Sequence, residues 1–311
     1  MRKILITGGA GYIGSSLTTA LVNKDYDVTV LDTLKYNKES LNHLYKFKNF
    51  KFYNTDVTIE KNIKRFLKNQ DLIIPLAALV GAPLCEKNKN IAVKTNIGSI
   101  KLILKNIKKN QKIIYPTTNS GYGIGEKNSF CDEKSPINPI SIYGRTKMEA
   151  EKIVLKHKNS ISFRLATVFG SSYRMRTDLL VNNFVYTAFN KKKLNIFEPN
   201  FRRNYIHIND IVRAFLFAIK NFKKLKSGIF NLGLSSANIT KINLAKKVKK
   251  YLPKTKIRII KNIKDPDQRD YYVSNKKIEK KGFKAIYSLD HGIVELINIF
   301  KISKIKIKNN Y

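Results

Sequence analysis

Met1-Arg-Lys-Ile-Leu-Ile-Thr-Gly-Gly-Ala-Gly-Tyr-Ile-Gly14 decides how the rest of the chain is read. Ile4, Leu5 and Ile6 form a short apolar run suited to a buried parallel strand. Gly8, Gly11 and Gly14 follow, and Leu17, Leu21 and Val22 then recur at helical spacing. In such a strand–turn–helix unit the first glycine permits the tight turn and the second admits a pyrophosphate. The third lets helix pack close to strand. Tyr12 and Ile13 belong to the same turn, and the new helix offers its unpaired N–H groups to phosphate.

A second apolar run, Val28-Thr-Val-Leu31, ends in Asp32, eighteen residues beyond Gly14. A carboxylate there accepts hydrogen bonds from both ribose hydroxyls of NAD and repels an added 2′-phosphate. NAD is therefore the expected cofactor, although the neighbouring Lys35 leaves NADP open.

Further strands are expected at Asn49–Tyr53, Asp71–Leu76, Lys112–Pro116 and Ser160–Leu165, alternating with helical patterns, which makes the class α/β. Asp56 and Val57, just after the third strand, suit an adenine ring, though an ordinary loop aspartate reads the same way. Leu76, Ala77 and Ala78 are small enough to let a cofactor lie on the strand ends. One long helix is expected from about Lys89 to Lys108, with Asn96 on its inward face as a brace or as plain core polarity.

The fifth strand delivers Thr117, Thr118, Asn119 and Ser120 at its carboxyl end, the ligand edge of an open α/β sheet. Gly121 to Pro139 reads as loop. Tyr143 and Lys147, four residues apart, share a helix face. A Tyr-xxx-Lys pair is common on helix surfaces and gains meaning only beside the glycine turn and Thr118. In that company Tyr143 serves as acid and base, with Lys147 expected to lower its pKa and to hold the nicotinamide ribose. Thr118 would hold the reacting oxygen.

After the sixth strand, Ala166-Thr167-Val-Phe-Gly170 and the loop Ser171 to Arg176 mark a shift away from simple βα alternation, and Thr167 is a candidate substrate contact. Residues 1–170, with returning segments near 205–235, are expected to bind cofactor, and residues 171–311 mainly the substrate. Arg174, Arg176, Arg203 and Arg269 are candidate diphosphate clamps, because arginine binds phosphate bidentately. Asn183, Glu198 and Tyr205 are candidate polar contacts to nucleotide or sugar. Asn209 and Asp210 read as the cap of a following helix. The final helix uses Leu289, Ile293, Leu296 and Ile297, and the Lys- and Asn-rich end is expected to fray.

The 311 residues carry a formal charge of +38, which raises nucleic-acid binding as a possibility. Only 11 of the 60 basic residues are arginine and the lysines are spread along the chain, so no dedicated nucleic-acid partner is expected. Cys85 and Cys131 are too few for a disulfide framework, which points to a reducing cytoplasm. No apolar run reaches spanning length, so no membrane insertion is expected. The four histidines form no close pair in sequence, so no metal site is expected.

Thr7-Gly-Gly-Ala-Gly-Tyr-Ile-Gly14, Asp32, Asp56-Val57, Leu76-Ala-Ala78, Thr118, Tyr143-xxx-Lys147 and Arg203-Asn-Tyr-Ile-His-Ile208 together resemble the nucleotide-sugar epimerase/dehydratase family of extended short-chain dehydrogenase/reductases. The resemblance implies a Rossmann doubly wound parallel sheet with a smaller, interleaved substrate-binding α/β domain. It also implies a nucleotide-sugar substrate and a homodimer built on a bundle of two helices per subunit. Family 4,6-dehydratases carry Thr-Asp-Glu where this chain has Thr118, Asn119 and Ser120, so the acid and base for eliminating water are missing.

A finer likeness is carried by Pro75–Cys85, Thr118–Gly125, Phe163–Gly170, Arg174–Leu180, Phe201–His207 and Asp265–Tyr271. It is to the branch that oxidises the C4 hydroxyl of GDP-linked heptoses to a ketone for capsule or surface polysaccharide. C4 oxidation of GDP-D-glycero-α-D-manno-heptose or a related GDP-sugar is accordingly the leading expectation. A UDP- or GDP-sugar 4-epimerase is the alternative, and a nonenzymatic dinucleotide-binding protein the reading from another class.

Overall fold

The computed structural model describes residues 2–36, 38–126, 129–261 and 269–302. Residues Asp265–Gln268 of the finer motif and the Lys- and Asn-rich end expected to fray lie outside them.

In chain order the first strands are β1 (Lys3–Thr7), β2 (Asp27–Asp32), β3 (Phe50–Asn54), β4 (Leu72–Pro75), β5 (Lys112–Thr118), β6 (Phe130–Cys131) and β7 (Ser160–Leu165). Then come β8 (Thr167–Phe169), β9 (Lys193–Ile196), β10 (Arg202–His207), β11 (Gly228–Leu232), β12 (Asn238–Thr240), β13 (Lys256–Ile259) and β14 (Tyr272–Val273). Seven of them form one parallel sheet in the order β11-β7-β5-β4-β1-β2-β3. The order reverses at β1, which pairs with β2 on one side and β4 on the other. A crevice opens at the carboxyl ends of strands on either side of such a switch point.

The apolar run of β1 explains its central place, because it is buried from both faces. Ile4 and Ile6 join a cluster that includes Leu17, Leu21, Ile211 and Phe215. Leu5, between them, joins Ile63, Ile100, Ala150 and Val154 on the other face. The helices concerned are α1 (Tyr12–Val22), α2 (Glu60–Leu67), and, after the short α3 (Ala82–Lys87) and α4 (Lys89–Val93), α5 (Ser99–Asn106) and α6 (Ile142–Val154). Following α7 (Leu180–Lys191), helix α8 (Ile208–Lys220) lies beside α1. The smaller sheets are β12-β10-β8, β13-β9 and β14-β6. Apart from β6, their strands come from the segments that follow β7, while β11 returns to the edge of the large sheet. This is the Rossmann sheet with an interleaved smaller α/β part.

Three expectations need correction. The helix expected over Lys89–Lys108 is broken into α4, a π-helical turn at Lys94–Gly98 and α5. Such a turn inserts one residue into the helical ladder and re-aims the side chains on it. The loop expected from Gly121 to Pro139 holds β6 and the end of a 3-10 turn, Asn119–Tyr122. Finally, α8 is capped by His207, whose Nδ1 accepts from the Asn209 N–H at 3.2 Å, and not by Asn209 or Asp210. Asp210 instead accepts from the backbone of Ile286 and Tyr287, holding the approach to the last helix. Among the described residues no helix is long and apolar enough to cross a membrane.

Candidate active site

A cavity of about 1120 Å³ lies over the carboxyl ends of β1, β2, β4 and β5. Gly8, Gly11, Tyr12, Ile13 and Gly14 form its floor. Gly8 has φ +72°, and a Cβ there would stand 2.5 Å from the Ala77 nitrogen. A Cβ on Gly14 would lie 2.3 Å from the Gly8 carbonyl oxygen. Glycine is thus required both for the turn and for the approach of α1 to it.

Asp32 ends β2 at the cavity wall and accepts from the N–H groups of Ala10, at 3.0 Å, and Leu34, at 2.9 Å. Burial raises its pKa, and those backbone bonds oppose the rise. Asp56 is tied to Thr58 by bonds of 2.8 Å from its N–H and its hydroxyl, which sets Asp56 and Val57 in the wall. Leu76, Ala77, Ala78 and Thr117 line the same space.

Helix α6 starts cleanly because the Ser141 hydroxyl accepts from the Gly144 N–H at 3.1 Å. It carries Tyr143 and Lys147 to the cavity beside Thr118. The Tyr143 phenol is pushed up to about 12, chiefly by burial, against the charge of Arg269 and a hydrogen bond with Thr118. Lys147 is buried, with Nζ 4.2 Å over the Tyr115 ring. Desolvation drops it to about 7, against the attraction of Glu151 one turn further on. Burial weakens the lysine's own charge, and Arg269 is the main cation acting on the phenol.

The four candidate arginines converge on this cavity despite their separation in sequence. The Arg174 guanidinium lies 5.2 Å over the Tyr36 ring. Arg176 pairs with Asp178, Nε to Oδ1 at 3.1 Å. Arg203 Nη1 donates to the Arg202 carbonyl at 2.9 Å. Arg269 Nη1 donates to the Ser120 hydroxyl and to Tyr271 Oη. Thr167 and Asn183 complete the sequence-derived lining residues.

Asn96, Asn119, Glu198 and Tyr205 do not line the cavity. Asn96, on the π-helical turn, accepts from the Leu79 N–H at 2.8 Å and donates to the Leu79 carbonyl and the Thr146 hydroxyl. It fastens the segment after β4 to α6, so it acts on the cavity's shape. Asn119 is drawn into the 3-10 turn and is buried there. Tyr205 is enclosed in β10 at 0 % exposure, and Glu198 sits at a left-handed corner between β9 and β10 with φ +46°. Tyr36, Asp178 and Phe197 are lining residues that the sequence did not disclose. Of these, Asp178 had a signal, since it stands two residues from Arg176 in a chain poor in acids.

His207, His291 and Glu295, for which sequence spacing suggested no metal site, lie together away from this cavity. Nδ1 of His207 accepts from Asn209, which assigns the proton to Nε2, 2.7 Å from Glu295 Oε2. The imidazole thereby joins the start of α8 to the last helix.

The family model described as "NAD dependent epimerase/dehydratase family" matches residues 4–233. The chain belongs to this family. Within the epimerase/dehydratase family, dTDP-D-glucose 4,6-dehydratase of Dictyostelium discoideum is 30% identical over 272 residues, 80% of this chain and 62% of that longer protein. The structure of UDP-glucose 4-epimerase from Thermotoga maritima superposes with TM-score 0.84 and 26% identity, covering 97% of this chain and 99% of that one. UDP-glucuronic acid 4-epimerase from Bacillus cereus gives TM-score 0.85 and 25% identity, covering 96% and 99%. The family's cofactor, NAD, fits the cleft. Glycines stand where any Cβ would collide with backbone, and Asp32 stands at the end of β2.

Proposed function

We propose that the protein is an NAD-dependent nucleotide-sugar 4-epimerase. The observation that carries the reading is the meeting of Thr118, Tyr143 and Lys147 in one cavity with Ser120, not a carboxylate, at the end of β5. Oxidation at C4, turning of the keto sugar and re-reduction need one hydroxyl acid/base and no further carboxyl group. Tyr143 takes the proton of the sugar hydroxyl and returns it, and Thr118 holds the same oxygen. Lys147 binds the nicotinamide ribose. Bound NAD supplies the acceptor and donor of hydride. Arg174, Arg176, Arg203 and Arg269 take the diphosphate, UDP- or GDP-linked. Residues 1–170 with β11 hold the cofactor and residues 171–311 mainly the sugar, in a cytoplasmic homodimer.

The alternative reading is a 4-dehydrogenase acting on GDP-D-glycero-α-D-manno-heptose in surface-polysaccharide synthesis. It rests on the six stretches that carry the finer likeness, Arg174–Leu180 foremost, where Arg174, Arg176 and Asp178 all reach the cavity. The two 4-epimerase structures, at 26% and 25% identity, favour the first reading.

Incubation with a panel of UDP- and GDP-hexoses and GDP-heptose separates them. An epimeric alcohol of unchanged mass supports the epimerase, and an accumulating 4-keto sugar, lighter by two hydrogens, supports the dehydrogenase. Tyr143→Phe should retain NAD and lose about 10²–10⁴-fold in turnover, the range for a positioned acid/base. Turnover near wild type in that variant would remove Tyr143 from its role.

A further inference from the structure

Tyr12, Ser15, Ser16 and Thr19 recur at i, i+3, i+4 and i+7, which sets four hydroxyl side chains on one face of α1. The loop that follows β8 lies along this face. Tyr12 Oη donates to the Gly170 carbonyl at 2.7 Å. The half-buried Ser172 hydroxyl donates to the Tyr12 carbonyl at 2.6 Å and stands 3.0 Å from Ser15 Oγ and 3.2 Å from Ser16 Oγ. Because its one proton goes to the carbonyl, both serines donate to it. Ser15 Oγ in turn accepts from the Arg174 N–H at 3.3 Å. Further along, the Tyr173 ring stacks on His43 with centroids 4.1 Å apart, and His43 Nε2 is 2.8 Å from Thr19 Oγ1.

The first turn of α1 and this loop both serve the cavity, since Tyr12, Ile13 and Gly14 line it and so do Arg174 and Arg176. We propose that Ser172 is a positioning residue that makes the glycine turn and the arginine loop one unit, so that cofactor and nucleotide-sugar binding reinforce each other through it. The proposal rests on the assignment of the loop arginines to the diphosphate given above, and it adds a coupling between the two ligands.

The ends of the loop are fastened elsewhere. Ser171 at its start donates to Glu295 of the last helix. Asn182 of α7 accepts from the Gly170 N–H at 3.0 Å and donates to the Arg176 carbonyl at 2.8 Å. Ser172 therefore governs the middle of the loop, where it meets α1 through a single oxygen with three contacts. Removing that oxygen leaves Ser15 the Tyr12 carbonyl, 3.5 Å away, as a partner, so the fold is retained while the loop and the turn gain freedom from each other. Whichever ligand binds first orders both elements, and the second then binds without that cost. The effect is reciprocal, because a coupling between two sites acts equally on both ligands.

The test uses the full-length, NAD-loaded protein. Bound NAD is chased with excess etheno-NAD, whose fluorescence reports the exchange. The chase is run without nucleotide and with UDP or GDP at a concentration that calorimetry shows to saturate each variant. In the wild type saturating nucleotide should slow exchange at least about fivefold, the low end of ordinary coupling between two sites. In Ser172→Ala that ratio should fall below about twofold, and in Ser172→Thr, which keeps the hydroxyl, it should stay near wild type. A serine with a merely structural role would change exchange equally with and without nucleotide and leave the ratio unmoved. That result overturns the proposal, and so does a wild-type ratio near one. Failure of both nucleotides to bind would overturn the diphosphate reading and this proposal together, whereas binding without coupling overturns only this one.

Discussion

Glu151→Gln tests whether the buried ion pair behind the candidate active site supports both the fold and the lysine. Glu151 of α6 takes Arg164 of β7 through Nη2 at 2.7 Å and Nε at 3.1 Å, and it accepts from the Ser162 hydroxyl at 2.6 Å. Both side chains are about 5% exposed or less. Arg164 also donates to Tyr122 Oη at 3.0 Å, and Tyr122 donates to Asn231 of β11 at 2.7 Å. The network thus ties α6 to two strands of the large sheet. Replacing the carboxylate by an amide leaves the guanidinium charged, buried and without its counterion, a change that costs about 3–5 kcal/mol. At roughly 2–4 °C per kcal/mol for a chain of this order, the thermal midpoint should fall by about 6–20 °C. Urea unfolding of wild type and variant, with equal slopes, gives the free energy directly.

The companion variant Glu151→Leu/Arg164→Met removes both charges, and it should be more stable than Glu151→Gln because no unpaired ion remains. A loss below ~1 kcal/mol for Glu151→Gln, or a double variant less stable than the single one, would refute the reasoning, since the pair would then be no costlier to break than an exposed one.

Two further outcomes are expected. Lys147 has an ordinary pKa of 10.5 and one of about 7 in the folded protein, so between those values the unfolded chain holds a proton that the folded chain has released. Its contribution to stability is therefore fully present above 10.5 and is lost as pH falls through about 7. Urea midpoints of the wild type should rise between about pH 7.5 and 9.5 more steeply than those of Lys147→Met, and parallel curves would show that the lysine is charged when folded. Gly14→Ala sets a methyl 2.3 Å from the Gly8 carbonyl oxygen and 2.7 Å from the Gly9 Cα, atoms that cannot yield without opening the turn. It should lower NAD affinity at least tenfold by calorimetry, about 1.4 kcal/mol, and near-normal affinity would mean that α1 can slide outward at little cost.

What could be read from sequence divides along a physical line. The parallel strands of the large sheet and the cofactor edge were legible in local patterns: the apolar run Ile4–Ile6, the glycine turn, and Asp32 at the end of β2. The arginines could be named as candidates because arginine binds a diphosphate bidentately, and their meeting at one cavity depends on segments far apart in the chain. What escaped was decided by contacts with no local trace. On the π-helical turn Asn96 bonds Leu79 and Thr146, residues 17 and 50 positions away. Nothing in an apolar spacing of Ile97, Ile100 and Leu104 marks the extra residue. Tyr205, two residues on, shares a strand face with the pocket-lining Arg203, and yet it is enclosed and does not reach the cavity.

The same division bears on the chemistry. A Tyr-xxx-Lys spacing establishes that two side chains share a helix face; it does not establish the charge that either carries. That is fixed by what the fold places opposite. Here burial moves Lys147 toward neutrality and the phenol away from acidity. The cation that faces the phenol comes from Arg269, more than a hundred residues further along the chain, held by a serine where relatives of the dehydratase type keep an acid. Losing that acid therefore does two things at once. It removes the group needed to expel water, and it leaves Arg269 donating to the Ser120 hydroxyl. A strand end without a carboxylate suits a reaction in which Tyr143 must release and recover one proton within a single catalytic cycle.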